Sequence, residues 1–132
     1  MKKIIFIMLV VTAMSCNSEK LNSKEATSLI ESFLAATDKK DFKDISNFYS
    51  EAMKSGEPEN ARIEKLLALR QLLGETKQVD LESSTDTVYN NNPALYLVYK
   101  IKHAKVTSTQ EYMVVKEEGK YKIAQQNVES VN

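Results

Sequence analysis

The hydrophobic pattern of this chain changes its period once, at Gly74, and that change restricts the folds open to it. Before Gly74, Ile63, Leu66, Leu67, Leu69, Leu72 and Leu73 recur at helical spacing. After it, Val79, Leu81, Ser83, Thr85, Thr87 and Tyr89 fall on every second position, the repeat of a strand. Helices gathered before strands specify an α+β domain rather than alternating βαβ units. Short turns between the strands specify an antiparallel sheet.

The punctuation agrees with the period. Asn22 or Ser23 caps a first helix, and Glu25, three residues after Asn22, completes a capping box. Ala26, Leu29, Ile30, Phe33 and Leu34 are its apolar stripe, and Asp38-Lys39-Lys40-Asp41 ends it. Phe42, Ile45, Phe48 and Tyr49 predict a second, shorter helix, and Ser55-Gly56-Glu57-Pro58 a loop. Pro58 suits the first turn of the third helix, and Gly74 its C-terminal cap. Asn90-Asn91-Asn92-Pro93 and Glu118-Gly119 are turn sequences. Between and beyond them lie strands centred on Leu95–Lys102, Tyr112–Val115 and Tyr121–Ala124. The expected architecture is three N-terminal helices packed on a curved four-stranded antiparallel sheet.

The N-terminus reads as an address. Lys2 and Lys3 precede an unbroken apolar run, Ile4–Val11, and then small residues, the order of a secretory signal peptide. The run falls short of the roughly 20 apolar residues that span a bilayer. Ala13-Met14-Ser15 ends the segment and Cys16, the sole cysteine, follows. Residues 12–16 resemble a bacterial lipobox of the relaxed Bacteroidetes-like type, which makes Cys16 the expected lipid attachment site. An ordinary signal peptide followed by a free thiol would be cut at the same place, but an unpaired exported thiol is prone to oxidation. The expected division is residues 1–15 as signal peptide, 16–23 as lipidated cysteine and tether, and 24–132 as the folded domain. Asn17–Asn22 reaches at most about 20 Å, at roughly 3.3 Å per residue, so the domain would ride close to a membrane. Asn17 is not the aspartate that retains enteric lipoproteins in the inner membrane, which points to the outer membrane of a bacterial envelope.

Composition excludes more chemistry than it offers. Lysine plus arginine equals aspartate plus glutamate, 18 each, and losing residues 1–15 removes two lysines and leaves a slight acidic excess. A strongly basic nucleic-acid binder is therefore excluded. One cysteine and one histidine supply neither a disulfide framework nor a zinc site, and no metal or cofactor is expected. No nucleophile-base motif, phosphate loop or HExxH is present. The one acid-base pair available is His103 with Glu111, if a three-residue loop Val106-Thr107-Ser108 sets them opposite; a two-residue loop would set His103 opposite Gln110. The six tyrosines pack a half-buried sheet by default, with Tyr49 and Tyr99 the ones best placed to contact a ligand. Lysines on the strands, Lys100, Lys102, Lys105, Lys116, Lys120 and Lys122, read as guards against edge pairing or as an anionic-ligand patch.

In its ordering the chain resembles small exported bacterial domains of the nuclear transport factor 2-like, or cystatin-like, fold, many of them lipoproteins in families of unknown function. The resemblance runs from about residue 24 to 130. It rests on Leu29-Ile30-Glu31-Ser32-Phe33-Leu34-Ala35-Ala36, the Asp41-Phe42 step, Asn47-Phe48-Tyr49-Ser50, Leu69-Arg70-Gln71-Leu72-Leu73-Gly74, and the hairpin Glu111 to Ile123. It implies a cone with an apolar pocket, for which Phe33, Tyr49, Tyr99 and His103 are the candidate lining. It also implies dimerisation through the outer sheet face, with Tyr96 and Val98 joined by Tyr112 and Val114. Relatives include isomerases and dehydratases as well as pure binding domains. The expectation is a membrane-anchored, non-enzymatic domain binding a small ligand or an envelope protein; the alternative is a small pocket enzyme.

Overall fold

A computed structural model describes residues 20–131. The expected signal peptide, Cys16 and residues 17–19 of the tether lie outside the described residues. Helix α1 spans Ser23–Asp38, and the Asn22 side chain accepts the Glu25 backbone N–H at 3.1 Å. Its buried residues, Ala26, Ile30, Phe33 and Leu34, form one stripe that lies on the sheet. Past its end the chain reverses through Lys40, whose φ is 60°.

The second helical segment differs from expectation. Residues 45–48 form a single 3₁₀ turn, Ile45–Phe48, and a separate short helix α2 follows at Glu51–Gly56. The break between them has a cause. Tyr49 adopts extended backbone and bridges Ile123 in parallel, and the Ser50 N–H donates to the Ile123 carbonyl at 2.9 Å. The Ser50 hydroxyl then accepts from Met53 N–H and starts α2. Helix α3 runs Glu59–Leu73 after Pro58 and stops at Gly74, whose φ is 89°.

Four strands follow: β1 Thr76–Tyr89, β2 Asn92–His103, β3 Thr107–Glu117 and β4 Lys120–Val131. They form one antiparallel sheet in the order β1-β2-β3-β4, with β1 and β4 at its edges. The sheet does not close on itself. Asn90-Asn91 and Glu118-Gly119 all have positive φ, as two-residue type I′ hairpins require.

The β2–β3 turn departs from both expected registers. His103 N–H donates to the Val106 carbonyl at 2.9 Å, Tyr99 lies opposite Gln110, and Val98 opposite Glu111. The loop is centred on Ala104-Lys105, and Thr107 and Ser108 belong to β3. Opposed residues share a face of a sheet. Leu95, Leu97, Tyr99, Ile101 and His103 therefore point inward together with Ser108, Gln110, Tyr112 and Val114. Tyr112 and Val114 are core residues, not part of the outer face where Tyr96, Val98, Glu111 and Met113 lie. A bulge between Leu81 and Ser83 likewise splits β1: Val79 and Leu81 share the inner face with Ser84 and Asp86, while Ser83, Thr85 and Thr87 face outward. Almost all of β1 is exposed. The core sits between α1 and the centre of the sheet.

Candidate functional site

The inner face of β3 carries a row of polar side chains into the core. His103 Nε2 lies 2.7 Å from Ser108 Oγ, Gln110 Nε2 donates to Ser108 Oγ at 3.2 Å, and the Tyr112 hydroxyl donates to Gln110 Oε1. Gln126 Nε2, on β4, donates to the same Tyr112 oxygen at 3.1 Å. Ser108, Gln110 and Tyr112 align because alternate residues of a strand share a face. His103 joins at one end from β2, and Gln126 at the other from β4. Ser108, Gln110 and Tyr112 are buried, and His103 is 8% exposed.

His103, Gln110, Tyr112 and Gln126 of this row form one wall of a cavity. The C-terminal turns of α1 and α3 form the other, with Phe33, Leu34, Leu66, Leu69 and Leu73 supplying apolar surface. At its rim Arg70 Nε sits 3.3 Å from Asp38 Oδ1, which also accepts the Thr76 N–H at 2.8 Å. Arg70 Nε donates to the Asp38 carbonyl as well, at 3.2 Å. That set of contacts ties the end of α1 to α3 and to the start of β1. The cavity itself holds about 30 Å³, room for one or two waters. Pockets that enclose a small organic ligand run to roughly 300–1,000 Å³.

Of the four residues expected to line a pocket, the structure brings Phe33 and His103 to this cavity and places Tyr49 and Tyr99 elsewhere. Phe33 is the hub of an aromatic cluster, edge-on to Phe48, Tyr49 and Tyr112 at 5.6–6.0 Å. Tyr49 is 1% exposed beneath the Arg62 guanidinium, whose carbon lies 4.6 Å from the ring centre. Arg62 is fixed there by bonds to the Met53 and Glu57 carbonyls. Tyr99 packs against Tyr112 at 6.1 Å, and its buried hydroxyl has no hydrogen-bond partner among the described residues. Burial drives the phenol pKa values of Tyr49, Tyr99 and Tyr112 upward, so none is an accessible proton donor. Sequence reasoning misses the polar partners Ser108, Gln126, Asp38 and Arg70, and meets Gln110 only as the residue opposite His103 in the two-residue-loop register. Polar residues at alternate positions of β3 are the trace they leave, hidden when Ser108 is placed in a loop.

His103 and Glu111 do not meet, because Glu111 faces outward opposite Val98. Burial lowers the His103 pKa, an effect opposed by the Gly74 backbone and the Asp38 carboxylate and reinforced by Arg70. Its ring is therefore neutral at neutral pH, and Nδ1 makes no hydrogen bond among the described residues. Among those residues His, Asp and Glu do not gather into a cluster that could hold a metal, and no helix is long and apolar enough to cross a membrane.

No protein-family model matches the chain, and no curated protein matches it. Solved structures do share the fold. Bd1075 from Bdellovibrio bacteriovorus matches 83% of this chain with a TM-score of 0.54 and 17% identity. This chain spans only 40% of Bd1075. Aln2 from a Streptomyces species matches 84% of this chain over 94% of its own length, with a TM-score of 0.55 and 13% identity. At these identities the likeness is one of fold.

Proposed function

We propose that this is an exported, lipid-anchored protein of a bacterial envelope whose domain, of the nuclear transport factor 2-like type, binds a partner without catalysing a reaction. The fold shared with Bd1075 and Aln2 supports the fold assignment. The Lys2-Lys3 start, the apolar run and Cys16 after Ala13-Met14-Ser15 support the anchor. The observation that carries the binding mode is the size of the inner cavity, about 30 Å³. Side chains fill the inner cavity, so recognition belongs to the surface, where a protein partner is the occupant that suits the outer sheet face. The outer sheet face offers partly exposed Tyr96, Val98 and Met113 within a polar surround of Glu111, Gln125 and Asn127. An envelope protein or a second copy of the chain fits such a face. The pocket-enzyme alternative lacks its acid-base pair, since His103 and Glu111 lie on opposite faces.

Two measurements test this. Replacing Cys16 with Ala should abolish metabolic labelling with palmitate and release the protein from membranes; unchanged labelling removes the anchor. Photocrosslinking from Tyr96 and from Val88 in cells should give a discrete adduct at Tyr96 alone. A ligand-sized pocket opened in solution, seen as saturable binding of an apolar dye, would refute the filled core.

A further inference from the structure

Given the anchor proposed above, we infer that the domain stands on the bilayer in one orientation. The tips of the β1–β2 and β3–β4 hairpins face the lipid, and the His103 cavity is held at the far end. The inference starts from where the described chain begins. Lys20 lies in a shallow depression with Asp86, Val88, Asn91 and Pro93, at the tip of the β1–β2 hairpin. Two residues later the Asn22 N–H donates to the Tyr121 hydroxyl at 2.7 Å, just past the Glu118-Gly119 turn. Leu21, between them, packs on the core. The chain thus enters the domain between the two hairpin tips, and it is held there by contacts to both.

Cys16 precedes Lys20 by four residues, which reach at most about 14 Å at full extension. In the other direction, β2 runs twelve residues from Asn92 to His103, roughly 36 Å at about 3.3 Å per residue. A lipid on Cys16 therefore holds the hairpin end within about 14 Å of the bilayer, whereas the His103 end lies a full strand's length from that attachment. Val88 is 67% exposed at that tip and meets the lipid surface first. Charges there have both signs, Lys20, Lys24 and Lys120 against Asp86 and Glu118, so the short tether rather than an electrostatic field sets the orientation. The bilayer that carries the anchor is the single occupant of this end.

The test uses the full lipidated protein in phosphatidylcholine vesicles containing headgroup-nitroxide lipid. Because Cys16 carries the lipid, a thiol introduced by Val88→Cys or by Lys102→Cys takes a fluorophore alone. The Val88→Cys label should be quenched at least threefold more than the Lys102→Cys label, and raised salt should not change the ratio. Equal or inverted quenching in protein that floats with the vesicles overturns the orientation and leaves the anchor standing. Protein that does not float overturns the anchor and the orientation with it. Inserting twenty Gly-Ser residues after Ser18 should level the two signals; an undiminished contrast overturns the tether as its cause.

Discussion

Tyr99 and Tyr112 pack edge to face in the core, 6.1 Å apart, yet removing their hydroxyls should have opposite effects. Tyr112 donates to Gln110 Oε1 and accepts from Gln126 Nε2. Tyr112→Phe keeps the ring and strips both partners of a bond inside the core, where an unsatisfied polar group costs about 1–3 kcal/mol. With Gln126 only partly buried, the expected loss is about 2–3 kcal/mol. The Tyr99 hydroxyl is buried with no partner among the described residues, so the native state already carries its desolvation cost. Tyr99→Phe should therefore be neutral, or stabilising by up to about 1 kcal/mol. Urea unfolding of the chain beginning at Lys20, followed by far-ultraviolet circular dichroism, reads both values. In thermal melts the two variants should differ by roughly 10 °C, at about 4 °C per kcal/mol for a domain of this length. Equal destabilisation would refute the reasoning, since it would mean that the Tyr99 hydroxyl is satisfied in solution.

Gly74→Ala should cost at least about 1 kcal/mol, because the position has φ of 89° and an added Cβ would stand 3.1 Å from Ala104 Cβ and the Lys105 N; the same urea titration measures it. Burial lowers the His103 pKa in the folded state, so the unfolded chain binds more protons near pH 6. Stability should then fall as pH drops below the ordinary imidazole value of about 6.5, and His103→Gln should flatten that slope between about pH 7.5 and 5. A chain beginning at Ser23 should be less stable than one beginning at Lys20 by about 1 kcal/mol or more. It loses the Asn22 cap together with Leu21, which packs on the core; paired melting curves decide this.

What the sequence shows of the fold is whatever neighbouring residues decide among themselves. The Asn22 cap, the stop at Gly74 and the two type I′ turns depend on backbone conformations that Asn and Gly adopt with little cost, and each lies where its residues indicate. The second helix misleads because the pull on Tyr49 comes from Ile123, far away in sequence. The β2–β3 register misleads because Ala104-Lys105 carries no turn chemistry, while Thr-Ser at 107–108 imitates a loop. The bulge at Leu81/Ser83 reverses the faces of half of β1 with no residue to announce it. The site suffers most from these errors. The expected pairing of His103 with Glu111 is five residues out of register with the observed pairing of His103 with Val106; an odd shift moves every side chain of a strand to the other face, which sets Tyr112 outside the core.

The buried row His103–Ser108–Gln110–Tyr112–Gln126 has a consequence for how the sheet finds its alignment. The Ala104-Lys105 turn contains neither glycine nor asparagine to dictate the pairing of β2 with β3. Sliding β3 by one residue would drive Thr107, Thr109 and Glu111 into the core. Sliding it by two would preserve the inward face but move Ser108 away from His103. The same slide would part Tyr112 from Gln126, leaving a chain of polar groups misaligned in a medium that punishes each broken bond. An all-apolar row of similar volume would tolerate the two-residue slide with little loss. The polar row thus works as a set of keyed teeth between three strands: the information that the turn lacks is stored across the sheet.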